Sequence, residues 1–187
     1  MPLRSSTATR GFTLIELLVT VAIAAILLSL AAPAMQQFVT QKAVSSSSDE
    51  LVSAMRFARS EALKRSSPVS VCGGNGKTDA ATAACTAKDW SKGWIVFADR
   101  DGDGVYKNGT DELLRVRQTV SQQASGPAPS ASGAVEFVAN GMALGAQSFT
   151  FTPNLNVTNS NYESFKRVVC VNAQGRTNVV SGSGPCN

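Results

Sequence analysis

Residues 10–35, RGFTLIELLVTVAIAAILLSLAAPAM, set a single acid, Glu16, inside an apolar run of helical length. A lone carboxylate at bilayer depth costs roughly 2.5–3.5 kcal/mol on insertion scales, so it demands a partner. If the chain is cut after Gly11, the new amino terminus at Phe12 stands one helical turn from Glu16 and carries the opposite charge. In a stack of subunits, the Glu16 carboxylate of one neutralises the Phe12 ammonium of the next. That pairing accounts together for the basic leader, the Gly before the cut, the Phe after it and the acid that follows.

The segment resembles the type IV prepilin segment shared by type IV pilins and type II secretion pseudopilins, through the wording G-F-T-L-I-E of residues 11–16. The resemblance implies that a prepilin peptidase cuts between Gly11 and Phe12 and methylates the Phe12 amine. Pro33 matches the helix-kinking proline of many type IV pilins. It removes one backbone donor and clashes with the carbonyl of Ser29, which loosens the helix there. Two plainer readings compete. A secretory signal peptide would use residues 1–10 as its basic region and Ala31, Ala32 and Ala34 as its cleavage box, but the apolar run is too long for one. A plain transmembrane anchor fits the length of residues 12–35. Neither explains Gly11, Phe12 and Glu16 together.

The chain has 187 residues, so after the leader and anchor about 145 remain, one domain of ordinary size. The formal charge is +4, and loss of Arg4 and Arg10 with the leader leaves a mild excess of positive charge. Bulk charge therefore does not imply nucleic-acid binding, and any DNA affinity must come from a local patch. The four cysteines allow three pairings, and proximity favours Cys72 with Cys85 and Cys170 with Cys186. Each bridge would stabilise the fold by roughly 3 kcal/mol in the chain-entropy model. With no histidine and no C-x-x-C spacing, oxidised bridges in the periplasm are favoured over zinc. Arg4 and Arg10 then keep the amino end at the cytoplasmic face of the inner membrane.

Beyond Pro33 the pattern predicts a helix to about Lys64, with Val44, Ser48, Leu51, Met55, Ala58 and Ala62 on one face. Arg56, Arg59, Lys64 and Arg65 lie largely off that face and read as solvated surface. Ser66, Ser67 and Pro68 end the helix. Strands are expected at 69–72, 93–98, 112–119, 134–138, 148–152 and 165–171. Residues 125–133 read as a flexible or extended loop, and 154–161 as a second polar loop. The expected organisation is a leader (1–11), a transmembrane and filament-core helix (12–35), its amphipathic continuation (36–66) and a disulfide-containing β domain (67–187). One long helix on antiparallel sheet is an α+β fold.

The globular half also resembles the GspH/FimT-type minor pilins and pseudopilins. The resemblance is carried by RFARSEALKRSSPVSVC (56–72), WSKGWIVFADRDGDG (90–104), DELLRVRQ (111–118) and VVCVNAQGR (168–176). It implies the type IV pilin fold and a minor subunit that helps prime or cap a filament of other pilins, with no cofactor and no enzyme activity. The absence of histidine agrees, since no Ser-His or Cys-His couple can form.

Three local features invite sharper readings. Asp99, Asp101 and Asp103, followed by Gly104, open like a calcium loop, but Thr110 stands where a bidentate Glu belongs. A Gly/Asp-rich hairpin turn is the better account. Gly175 and Arg176 match the start of the G-R-x-R stretch of DNA-uptake members of the family, with Asn178 in place of the second Arg. Lys166 and Arg167 would join a DNA-binding patch if the last strands pair, while an exposed hairpin turn is the plainer reading. Trp90 and Trp94 could form an adhesive surface, but an aromatic beside a strand is usually core.

These readings lead to a minor subunit of a type IV pilus. The alternatives are the H-type pseudopilin of type II secretion, a DNA-binding competence pilin, and a secreted enzyme behind a signal peptide.

Overall fold

The computed structural model describes residues 12–86, 88–118 and 122–186, except for the side chains of Leu30, Ala32 and Pro33. It divides into two compact units, 1–38 and 39–187.

In the first unit, helix α1 (Leu14–Arg65) begins under a local cap, with the Glu16 N–H donating to Thr13 Oγ1 at 3.2 Å. Leu14, Leu17, Leu27 and Leu28 are each at least 60% exposed, so this stretch gains nothing from burial within its own chain. It is long and apolar enough to cross a membrane. The kink expected at Pro33 falls on a side chain outside the described residues, although the helix assignment runs through that position.

In the second unit, Val44, Ser48, Leu51, Met55, Ala58 and Ala62 of α1 are all buried. Their small members let the sheets come close, and each larger apolar side chain buried this way contributes about 1.5–3 kcal/mol. The helix ends at Arg65, Ser66 takes the left-handed conformation at φ 50°, and Pro68 leads into the first strand.

The strands follow as β1 (Val69–Gly74), β2 (Cys85–Thr86), β3 (Gly93–Ala98), β4 (Glu112–Gln118), β5 (Ala124–Pro129), β6 (Val135–Phe137), β7 (Ala143–Leu144) and β8 (Gln147–Pro153). A short helical turn, α2 (Tyr162–Phe165), precedes β9 (Arg167–Val171) and β10 (Thr177–Ser181). Among the described residues they form two antiparallel sheets. One runs β4-β3-β1-β6-β7 with β2 added to β1, and the other runs β10-β9-β8-β5. The arrangement is α+β.

A single apolar cluster joins α1 to both sheets through Val69, Val71, Trp94, Val96 and Phe137 of the first and Phe149, Phe151, Val169 and Val171 of the second. The opposite face of the first sheet carries Cys72, Ile95 and Phe97, packed under Tyr106 and Ala83 of the connecting loops. That second layer explains why β3 is buried along its whole length rather than alternating.

Two expectations are corrected. Part of the loop expected at 125–133 is β5, an edge strand paired with β8 through a register shift between Ser125 and Ala128. An edge tolerates Pro129, and the irregularity absorbs Gly126 and Pro127. Phe165 closes the turn of α2 instead of opening a strand, and β9 begins at Arg167. Strands β2, β7 and β10 were not expected from the sequence. Thr119, the expected end of β4, lies outside the described residues.

Candidate functional site

At the start of α1, Phe12 is 80% exposed and Glu16 is exposed one turn beyond it. Glu16 stands among exposed leucines, isoleucines and valines, and among the described residues no cation pairs with it. Gly11, the other half of the expected cleavage site, lies outside the described residues, as do Arg4 and Arg10.

The aspartate loop joins β3 to β4. Asp99 is fully buried and accepts hydrogen bonds from Ser70 Oγ at 2.9 Å and from the N–H groups of Gly102, Asp103 and Gly104 at 2.8, 3.2 and 2.9 Å. The ligand oxygens of Asp99, Asp101 and Asp103 come within 4.8 Å of one another. Lys107 Nζ pairs with Asp101 at 2.7 Å and also with Asp103. Those two carboxylates push the Lys107 ammonium up from its ordinary range, and Lys107 in turn holds Asp103 low. Asp111 closes the loop by accepting from the N–H groups of Arg100 and Lys107 at 3.0 and 2.8 Å. The chain's own donors and its own cation therefore satisfy these acids, as a structural hairpin requires. A calcium ion would have to displace Lys107.

The basic residues fall into two places. Strands β9 and β10 pair with Arg167 opposite Ser181 and Val171 opposite Thr177, so Lys166 and Arg167 lie at the far end of the hairpin from Arg176. Lys166 pairs with Glu163 at 2.7 Å and sits over the Tyr162 ring, while Arg167 Nη1 donates to the carbonyls of Ser164 and Lys166, each at 2.8 Å. The patch of Lys166, Arg167 and Arg176 is not brought together. Arg176 is exposed on the β9–β10 turn, where the Gly175 N–H donates to the Asn172 carbonyl at 2.8 Å.

Arg176 instead meets α1. Arg56, Arg59 and Arg176 line one groove of about 470 Å³, together with Ser60 and Asn178. Arg59 Nη1 donates to the Gly175 carbonyl at 3.1 Å, and its buried Nε has no hydrogen-bond partner. Gly175 has φ 72°, and a Cβ there would collide with the Gly141 carbonyl. Among the described residues, none of the three guanidiniums has an ion pair. The sequence placed Arg56 and Arg59 on a solvated helix face. Nothing in it linked them to a turn more than a hundred residues away.

Trp90 and Trp94 are 1% and 2% exposed, with the Trp90 ring 4.6 Å from that of Phe149, so they are core and not an adhesive surface. The disulfides join Cys72 to Cys85 and Cys170 to Cys186. The first ties β1 to β2, and the second returns the tail beyond β10 to β9.

Comparison with known proteins bears on the same regions. A family model described as type II transport protein GspH matches residues 47–175. A model of the prokaryotic N-terminal methylation motif matches residues 7–32. Two crystal structures of the type IV minor pilin FimU from Pseudomonas aeruginosa are similar in fold. One is 19% identical, with a TM-score of 0.56 over 79% of this chain and 95% of that chain. The second, from another crystal form, is 20% identical, with a TM-score of 0.52 over 75% of this chain and 94% of that chain. No curated protein matches. The GspH match runs from the buried half of α1 into the β9–β10 turn, more than half of the sequence, and the chain belongs to the GspH family of pilin-like type II transport proteins.

Proposed function

We propose that the chain is a minor subunit of a type IV pilus that primes or caps the filament after a prepilin peptidase cuts between Gly11 and Phe12 and methylates the Phe12 amine. The carrying observation is Glu16, an exposed acid in the first turn of an apolar helix with no ion pair among the described residues. Before assembly the helix anchors the chain in the inner membrane, with Arg4 and Arg10 on the cytoplasmic side. The domain of residues 39–187 stands in the periplasm, where its two bridges can form. On entry into the filament, the Glu16 carboxylate accepts the charge of a neighbour's Phe12 ammonium. Glu16→Leu is expected to leave the domain folded and its bridges oxidised, while the chain in sheared filaments falls about tenfold or more. Incorporation at wild-type level contradicts the charge pair.

Two observations each favour another role for the same subunit. The description of the matching family favours a pseudopilin of type II secretion. Deleting the gene then leaves surface pili intact and abolishes export of secreted proteins. The groove of Arg56, Arg59 and Arg176 favours DNA uptake, since three guanidiniums without an ion pair among the described residues attract phosphates. Binding of DNA by the full chain in detergent would then fall steeply with salt and weaken with Arg176→Ala. Absence of binding at low salt removes that reading.

A further inference from the structure

Among the described residues, β10 is the one sheet edge left unguarded. β4 carries Glu112, Arg115 and Arg117 and pairs through a register shift. β2 and β7 have two residues each, and β5 is interrupted by Pro127, Pro129 and its own register shift. Charge, proline, irregularity and shortness are the usual means of keeping an edge from pairing. β10, Thr-Asn-Val-Val-Ser at 177–181, has none of them and pairs with β9 along its whole length without a shift.

The β9–β10 turn fixes what this edge offers. The Asn172 N–H donates to the Arg176 carbonyl at 3.1 Å, so positions 176, 178 and 180 turn their backbone groups toward β9. Thr177, Val179 and Ser181 turn theirs outward, where no partner meets them among the described residues. The chain's own tail leaves them open. The Gly182 N–H donates to the Lys166 carbonyl at 3.0 Å, and the bridge from Cys186 to Cys170 holds the tail against β9. Val179 stands opposite Val169 of the core and is 38% exposed, so it carries the apolar face out to the edge. At its start the edge opens into the arginine groove, which Thr177 and Asn178 line with Arg56, Arg59 and Arg176. The buried Arg59 Nε in that groove has no hydrogen-bond partner.

We propose that β10 accepts one further strand, an extended segment of a partner protein that is uncharged along β10 and bears an acid at its carboxyl end. The segment lies antiparallel to β10, as every strand pair within the two sheets does. Five residues then cover about 17 Å of edge and bring the acid to the arginine groove. Backbone pairing supplies the affinity, a β-branched side chain covers Val179, and the carboxylate meets the guanidiniums. A phosphate backbone would answer the arginines but leave Val179 and the outward N–H groups uncovered, so the edge favours a peptide over nucleic acid.

The test uses the full chain in detergent and the amidated peptide acetyl-Thr-Val-Thr-Val-Thr-Asp, with a diazirine-bearing residue in place of its second valine. Photolysis is expected to give an adduct that maps to β10. Val179→Lys, which sets a charge on the edge, and Arg176→Glu should each reduce the adduct about tenfold. Asn in place of the peptide's Asp should weaken binding to a similar degree. A peptide N-methylated at alternate residues cannot pair with the edge and should give no adduct, a comparison that leaves the protein unchanged. An adduct that survives N-methylation or Val179→Lys, one that maps outside β10, or no adduct at all overturns the inference. So does retention of a single-stranded DNA oligonucleotide by the chain when the peptide is not retained.

Discussion

Asp99 shows how one side chain can hold a loop. Its carboxylate gathers three backbone N–H groups and the Ser70 hydroxyl at a fully buried position. Asp99→Ala strands those donors and is expected to cost about 3 kcal/mol, read as a lower denaturation midpoint without a change of slope. Glu136 is its neighbour across β1, paired in register with Ser70. Burial first, and then the Asp99 charge, raise the Glu136 carboxyl above its ordinary range. Folding therefore favours the protonated form. Its contribution is fully present below the usual carboxylate pKa and is lost as pH rises through the higher folded value. Glu136→Gln should accordingly raise the melting temperature at pH 7 and change it little at pH 4. An equal shift at both pH values contradicts the titration. From sequence, Asp99 looked like the first ligand of a calcium loop. Its actual partners are backbone groups and Ser70, which lies 29 residues away, and composition cannot show them.

At the scale of elements, the long helix and the strongly patterned strands were legible because period and burial agree. The face of α1 from Val44 to Ala62 is buried as its spacing predicts, and 93–98 is β3 with the same bounds. β5 was hidden because its Gly and Pro punctuation reads as a turn, while its pairing is fixed by β8. Gly126 has a further reason to be glycine, since a Cβ there would lie 2.6 Å from Ser91 Cα. Gly126→Ala is expected to destabilise the fold by about 1–3 kcal/mol, measured by denaturant unfolding. A neutral result would mean that the edge strand yields without cost. The arginine groove was hidden for a related reason. Its two sides come from α1 and the β9–β10 turn, and only the tertiary fold brings them together.

At the scale of the whole molecule, the two units divide the work. The domain of residues 39–187 buries its own core and satisfies the aspartates of its β3–β4 loop internally. The stretch of α1 before it leaves its apolar side chains open, with one acid among them. Such a surface costs free energy in water and finds cover only in a bilayer or among the helices of other subunits. The exposed Phe12 and Glu16, which has no ion pair among the described residues, are then expected to serve one activity, the assembly of anchored chains. That account depends on the free amine at Phe12. The most direct test is the intact mass, with amino-terminal peptide mapping, of the chain recovered from sheared filaments. The account predicts a chain beginning at Phe12 with a methylated amine. A chain that keeps residues 1–11, or one that begins near Met35, would contradict it.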